Sequence, residues 1–166
     1  MRVKRVTTIS EIANIIKKLK RAVIFTHLRP DGDTIGSALA LSRAMGALGI
    51  PTQVVNEGNI PAKFFFMEGI DQIGKGPTRD AEAYICVDAS DDTRLGELQK
   101  VFAAGARKGK LTINFDHHIS NTRFAKVNFV RERASNCENV AELIEELGVP
   151  VDKLIANYLM MGMVTD

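Results

Sequence analysis

The sequence predicts an α/β domain built on a mostly parallel sheet flanked by helices. Two observations carry that expectation. Short runs at residues 22–25 and 84–88 are almost wholly apolar, as strands covered on both faces must be. Such runs alternate along the chain with longer segments whose apolar residues recur at helical spacing.

Thr8-Ile-Ser-Glu11 has the form of a capping box, and Ile12, Ile15, Ile16 and Leu19 follow on one face, so residues 8–20 read as an amphipathic helix. The basic residues Arg2, Lys4 and Arg5, then Lys17, Lys18, Lys20 and Arg21, read as a solvated helix face. After the strand at 22–25 comes the polar stretch THLRPDGDTIGS, residues 26–37. A second helix begins near Thr34, with Asp33 as its natural N-cap, and carries Ile35, Leu39, Ser42, Met45 and Leu48; Gly49 and Pro51 close it. Residues 52–55 form the next strand. Residues 57–80 are rich in Gly and Pro and irregular, though Phe64, Phe65 and Phe66 are expected to bury something.

A strand over 84–88 leads to a helix over 93–104, and a strand over 111–115 runs into Asp116-His117-His118. Residues 125–129 suggest a short strand. Helices follow over 137–147, stopped by Gly148 and Pro150, and over 151–163. No repeat, low-complexity tract or linker interrupts the chain, so residues 1–166 read as one domain.

A chain of 166 residues with 45% hydrophobic content can bury a real core, and a net charge of +2 gives no electrostatic case for coating nucleic acid non-specifically. No apolar run approaches a membrane span, and the N-terminus lacks a signal-peptide core; the expectation is a cytoplasmic protein without a membrane partner. Cys86 and Cys137 have no metal-like spacing, and Cys86 reads as a buried thiol within a strand.

The chemistry gathers at strand exits. In parallel α/β sheets, ligands bind beyond the carboxyl ends of the strands. Three strands end in His27, Asp31 and Asp33, in Asp88, and in Asp116-His117-His118, and all three histidines of the protein lie there. Asp31-Gly32 is a common turn pair, and Asp88 could cap the turn that follows it. The adjacent histidines resist so plain a reading, because neither proton state packs cheaply without partners. Together, nitrogen donors and several carboxylates suit Mn²⁺, Co²⁺ or Zn²⁺ better than Mg²⁺ or Ca²⁺. More carboxylates than one ion needs suggests two ions sharing an aspartate, an arrangement suited to phosphoryl hydrolysis.

His27-x-x-Pro-Asp31-Gly-Asp33-x-x-Gly-Ser37, Asp88, Asp116-His117-His118 and Val164-Thr-Asp166 resemble, in order, the motifs of the DHH phosphoesterase superfamily. The first motif is most similar to the oligoribonuclease-like DHH-DHHA1 branch, which includes nanoRNases and pAp phosphatases. The resemblance implies a DHH domain with two Mn²⁺ ions, Co²⁺, Mg²⁺ or Zn²⁺ being alternatives. His27, Asp31 and Asp88 would hold one ion, and Asp33, Asp88, His117 and Asp166 the other. His118 would face the substrate phosphate, and Asp116 would orient an imidazole. Arg94 is a candidate phosphate contact, or else a surface residue on its helix.

The implied activity is hydrolysis of short oligoribonucleotides and of 3′-phosphoadenosine 5′-phosphate (pAp). Alternatives are a cyclic- or linear-dinucleotide phosphodiesterase, an inorganic pyrophosphatase and a non-catalytic nucleotide-binding module. The pyrophosphatase branch favours Asn before the Pro and Thr between the acids, where this chain has Arg29 and Gly32; a RecJ-type exonuclease lacks the leading His. Ser135-Asn-Cys-Glu138 matches the family's next segment only in part. The DHHA1 domain of relatives does not follow, so the expectation is a fragment of a longer protein that forms a homodimer when complete. Such a fragment would bind Mn²⁺, turn over slowly, and expose an inter-domain face including Leu154, Leu159, Met160, Met161 and Met163.

Overall fold

A computed structural model of the chain describes residues 4–6, 8–78 and 80–166. Its six strands are β1 (Lys4–Val6), β2 (Ala22–Phe25), β3 (Thr52–Val55), β4 (Ala83–Val87), β5 (Leu111–Asp116) and β6 (Val127–Val130). They form one sheet in the order β1-β6-β5-β4-β2-β3, and every pair is parallel. Five helices connect or follow them: α1 (Ile9–Ile16), α2 (Gly32–Ala47), α3 (Leu98–Arg107), α4 (Asn136–Glu146) and α5 (Lys153–Thr165).

Alternation along the strands divides the core in two. Ile24, Ile85, Ile113, Phe115, Val127 and Phe129 pack with residues of α1, α2, α4 and α5. Val23, Phe25, Tyr84 and Cys86 face the opposite way, toward Leu98 and Phe102 of α3. The ring of Phe25 meets Phe102 edge-on at 5.3 Å, and Phe115 stacks on Phe129 at 4.8 Å. Each such fully buried side chain contributes about 1.5–3 kcal/mol over an exposed one. Coverage on both faces explains why the central strands β2 and β4 are apolar throughout.

Several expectations need correction. Lys4 and Arg5 belong to β1, paired with β6, and not to a helix face; Arg2 lies outside the described residues. Thr8 and Glu11 do form the capping box, but α1 ends at Ile16, leaving Lys17, Lys18, Lys20 and Arg21 exposed beyond it. The helix expected over 93–104 is broken: a 3-10 turn at Asp92–Leu95 ends at Gly96, whose φ of 61° no continuing helix can accommodate, and α3 starts afresh at Leu98. Of the three phenylalanines, Phe64 is buried while Phe65 and Phe66 are exposed. Leu159 is buried in the core, whereas Met160 and Met163 are exposed. Among the described residues no helix is long and apolar enough to cross a membrane.

Candidate metal centre

Because β2, β4 and β5 are neighbours and parallel, their carboxyl ends open on one edge of the sheet. His27 leaves β2, Asp88 leaves β4, and Asp116, His117 and His118 leave β5. The N-terminus of α2 adds Asp31 and Asp33, and the last turn of α5 adds Asp166.

Asp31, not Asp33, caps α2: its Oδ1 accepts from the N–H groups of Asp33 and Thr34, each at 3.0 Å. Its other oxygen lies 3.5 Å from His27 Nε2. Asp33 is freed from capping its own helix and reaches across to another. It is fully buried and accepts from the N–H of Asn136 at 2.6 Å and of Cys137 at 2.9 Å, the first turn of α4. A carboxylate at a helix N-terminus is favoured by the unpaired N–H groups and the helix dipole.

Asp88 stands between the two groups. Its backbone is left-handed, with φ of 56°, a conformation that Asp and Asn tolerate better than most residues. One oxygen lies 3.6 Å from His27 Nε2 and the other 3.2 Å from His117 Nε2. His117 Nε2 is also 3.6 Å from Asp33 and from Asp166. The ring is oriented from behind by a 3.0 Å hydrogen bond between Nδ1 and the carbonyl of Arg133, which directs Nε2 into the cluster.

His118 is placed differently. Its Nδ1 bonds to Asp116 Oδ1 at 2.8 Å, and Asn121 donates to the other Asp116 oxygen at 2.6 Å. Both oxygens of Asp116 are thus occupied, although Asp116 also lies within the grouping of Asp88, His117 and His118. The His118 ring is about one-third exposed, while His27, Asp88 and His117 are buried. Arg94 sits exposed on the 3-10 turn; its carbonyl accepts from Leu28 N–H, one residue beyond His27. A groove of about 750 Å³ lined by Arg43, Asp152 and Tyr158 contains none of these residues.

Burial and mutual charge set the proton affinities. Burial alone would lower the pKa of His27, but Asp31 and Asp88 override it and raise it to about 9. His117 is likewise raised to about 9 against its burial, by Asp88 and the Arg133 carbonyl. Asp31 falls to about 2 although burial opposes it, because His27 and the α2 N–H groups favour its charge. Asp33 rises to about 6, through burial first and then the Asp88 charge, with the α4 N–H groups pulling the other way.

Among the described residues three sets of ligand atoms could hold ions: His27, Asp31 and Asp88, then Asp33, His117 and Asp166, and, overlapping both, Asp88, Asp116, His117 and His118. The donors fit divalent cations on a physical ground. Asp88 Oδ1 and His117 Nε2 are buried with no hydrogen-bond partner among the described residues, an expensive state that coordination would relieve.

Three positions escaped sequence reasoning. Asn121 buttresses Asp116, and the backbones of Asn136 and Cys137 hold Asp33 from about a hundred residues away. The Asn-Thr pair after the histidines was a weak turn signal for the first; nothing local marks the others.

Comparison with known proteins gives consistent results. The model of the DHH family, N-terminal domain, matches residues 21–163. A bifunctional oligoribonuclease and PAP phosphatase NrnA from Mycoplasma genitalium is 33% identical, over 96% of this chain and 50% of its own. The NrnA of Thermus thermophilus is 29% identical, over 93% of this chain and 46% of its own. A probable manganese-dependent inorganic pyrophosphatase from Streptococcus mutans is 25% identical, over 89% and 48%. The chain therefore spans about half the length of the curated relatives it matches. Among solved structures, an exopolyphosphatase-related protein from Bacteroides fragilis shares the fold with a TM-score of 0.85 at 24% identity, over 94% of this chain and 48% of that one. Exonuclease RecJ bound to manganese has a TM-score of 0.58 at 17% identity, over 99% and 43%.

Proposed function

The chain belongs to the DHH family, and on that premise we propose that it is the metal-binding domain of a phosphoesterase that hydrolyses short oligoribonucleotides and pAp. The observation that carries the reading is Asp88, whose two oxygens face two different imidazoles between the two groups of potential ligands. The NrnA relatives support the substrate class, and the manganese-dependent pyrophosphatase and manganese-bound RecJ support Mn²⁺ as the ion.

In this reading His27, Asp31 and Asp88 would hold one ion, and Asp33, Asp88, His117 and Asp166 the other. Bound as a pair, divalent ions supply an activated water and neutralise charge at phosphorus. The protein's own groups do the rest. Arg133 and the α4 N-terminus hold His117 and Asp33 in place, so that little reorganisation accompanies binding. His118, with Nδ1 committed to Asp116, presents Nε2 to the open side, where it donates to a substrate phosphate oxygen. Arg94, exposed at the same edge, is a further phosphate contact.

The S. mutans relative favours a second reading, hydrolysis of inorganic pyrophosphate. Product release from a diribonucleotide, pAp and pyrophosphate, each with Mn²⁺, separates the two. Preferred release from the nucleotides is expected, slowly from this chain alone; turnover of pyrophosphate alone would replace the first reading with the second.

A further inference from the structure

Asp166 reaches the cluster from the end of α5, and three helices must pack closely for it to do so. The close approach occurs at glycines. A Cβ on Gly36 of α2 would lie 2.3 Å from the Tyr158 carbonyl oxygen of α5. One on Gly162 of α5 would lie 2.2 Å from Cys137 Sγ and 2.8 Å from Asp33 Oδ1. Neither contact is possible for a real side chain without a shift. Glycine weakens a helix interior, so its presence at 162 needs a reason. Gly46 of α2 makes the contrast, since a Cβ there meets nothing within 4 Å.

What Gly162 stands over is functional in character. Asp33 Oδ1, the oxygen it would strike, accepts the Cys137 N–H. The Gly162 carbonyl accepts the N–H of Asp166, one turn on, at 3.2 Å. Asp33 and Asp166 are each 3.6 Å from His117 Nε2, which is buried and without a hydrogen-bond partner among the described residues. One position thus touches the first of these carboxylates and carries the second.

We propose that Gly162 is a positioning residue for the ion group formed by Asp33, His117 and Asp166. Lacking a side chain, it lets α5 settle against α2 and the start of α4 until Asp166 meets His117, and it leaves Asp33 undisturbed. A methyl group there would lift the end of α5 and press on Asp33 together. The group of His27, Asp31 and Asp88 takes nothing from α5 and would be spared. This inference rests on the metal-dependent reading above.

The test is Mn²⁺ titration of wild type, Gly162→Ala and Gly46→Ala, with the spin-coupled signal of an ion pair followed by electron paramagnetic resonance. Wild type and Gly46→Ala should bind two ions. Gly162→Ala should keep one and bind the second about 10–100-fold more weakly, the usual effect of disturbing a ligand's support. Adding Cys137→Ala removes the 2.2 Å clash, leaves the press on Asp33 Oδ1 at 2.8 Å, and should recover only part of the loss. If Gly162→Ala binds both ions as wild type does, the proposal fails and the metal-dependent reading stands. A wild type that binds no ion removes both. Hydrogen exchange on the wild type decides the matter even if the variants do not fold: Mn²⁺ should slow exchange at residues 162–166, and unchanged exchange there would overturn the proposal.

Discussion

Asp88 Oδ1 lies 3.2 Å from His117 Nε2, close enough for an ion pair but not aligned as a hydrogen bond, and among the described residues neither buried atom has a hydrogen-bond partner. The other Asp88 oxygen is 3.6 Å from His27 Nε2. Both histidines depend on one carboxylate, held at a positive φ where β4 ends. A side chain serving two buried groups makes the site vulnerable at a single atom pair.

Asp88→Asn tests this without disturbing the backbone, because asparagine tolerates the left-handed conformation as well as aspartate does. The substitution removes the charge and turns one acceptor into a donor facing an imidazole. Both ions should be lost or weakened together in a Mn²⁺ titration. Loss of one ion with the second unaffected would show that Asp88 does not bridge.

The two adjacent histidines should separate cleanly. His117 points Nε2 at Asp33, Asp88 and Asp166, whereas His118 is tied to Asp116 and partly exposed. His117→Ala should lose an ion. His118→Ala should retain both and lose turnover by about 100–10,000-fold, the range for a positioned proton donor. Equal metal loss in the two variants would count against this division.

The meeting of these side chains was legible in the sequence because a parallel sheet brings strand exits to one edge, whatever the loops between them do. Which aspartate capped α2 was not legible. Asp31 and Asp33 both stand at the start of the helix, and the choice was made by the α4 N-terminus, which arrives 103 residues after Asp33 to take it. β1 was missed because three residues, two of them basic, carry no apolar period; its pairing with β6 defines it. The broken helix at 92–107 turned on Gly96, one residue whose positive φ outweighs the helical spacing around it.

Metal binding should be steeply pH-dependent. In the metal-free protein His27 and His117 titrate at about 9, above the ordinary 6.5, so both are largely protonated at pH 7. Ions need their neutral forms, and loading both groups should release roughly two protons. Calorimetry in buffers of different ionisation enthalpy measures that number; release of none would contradict the assignment. The same shifts stabilise the metal-free fold fully below pH 6.5 and are lost as pH rises through 9. Its melting temperature should therefore lose this contribution over that window, while Mn²⁺ affinity rises.

Asn121 should matter for turnover without binding metal. Its side-chain nitrogen lies 2.6 Å from Asp116, 2.7 Å from Asn114 and 3.1 Å from the Ala89 carbonyl, and its oxygen accepts the N–H of Arg123. Arg123 has a positive φ of 55°, so this bond also secures a strained turn. Asn121→Ala would leave one oxygen of buried Asp116 unpaired, costing about 1–3 kcal/mol of stability. Asp116 would then be free to rotate, and the His118 ring with it. The expected result is a lower melting temperature, intact Mn²⁺ stoichiometry and a fall in kcat exceeding any change in KM. If kcat survives while stability falls, Asn121 supports the loop alone, and Asp116 orients His118 without its help.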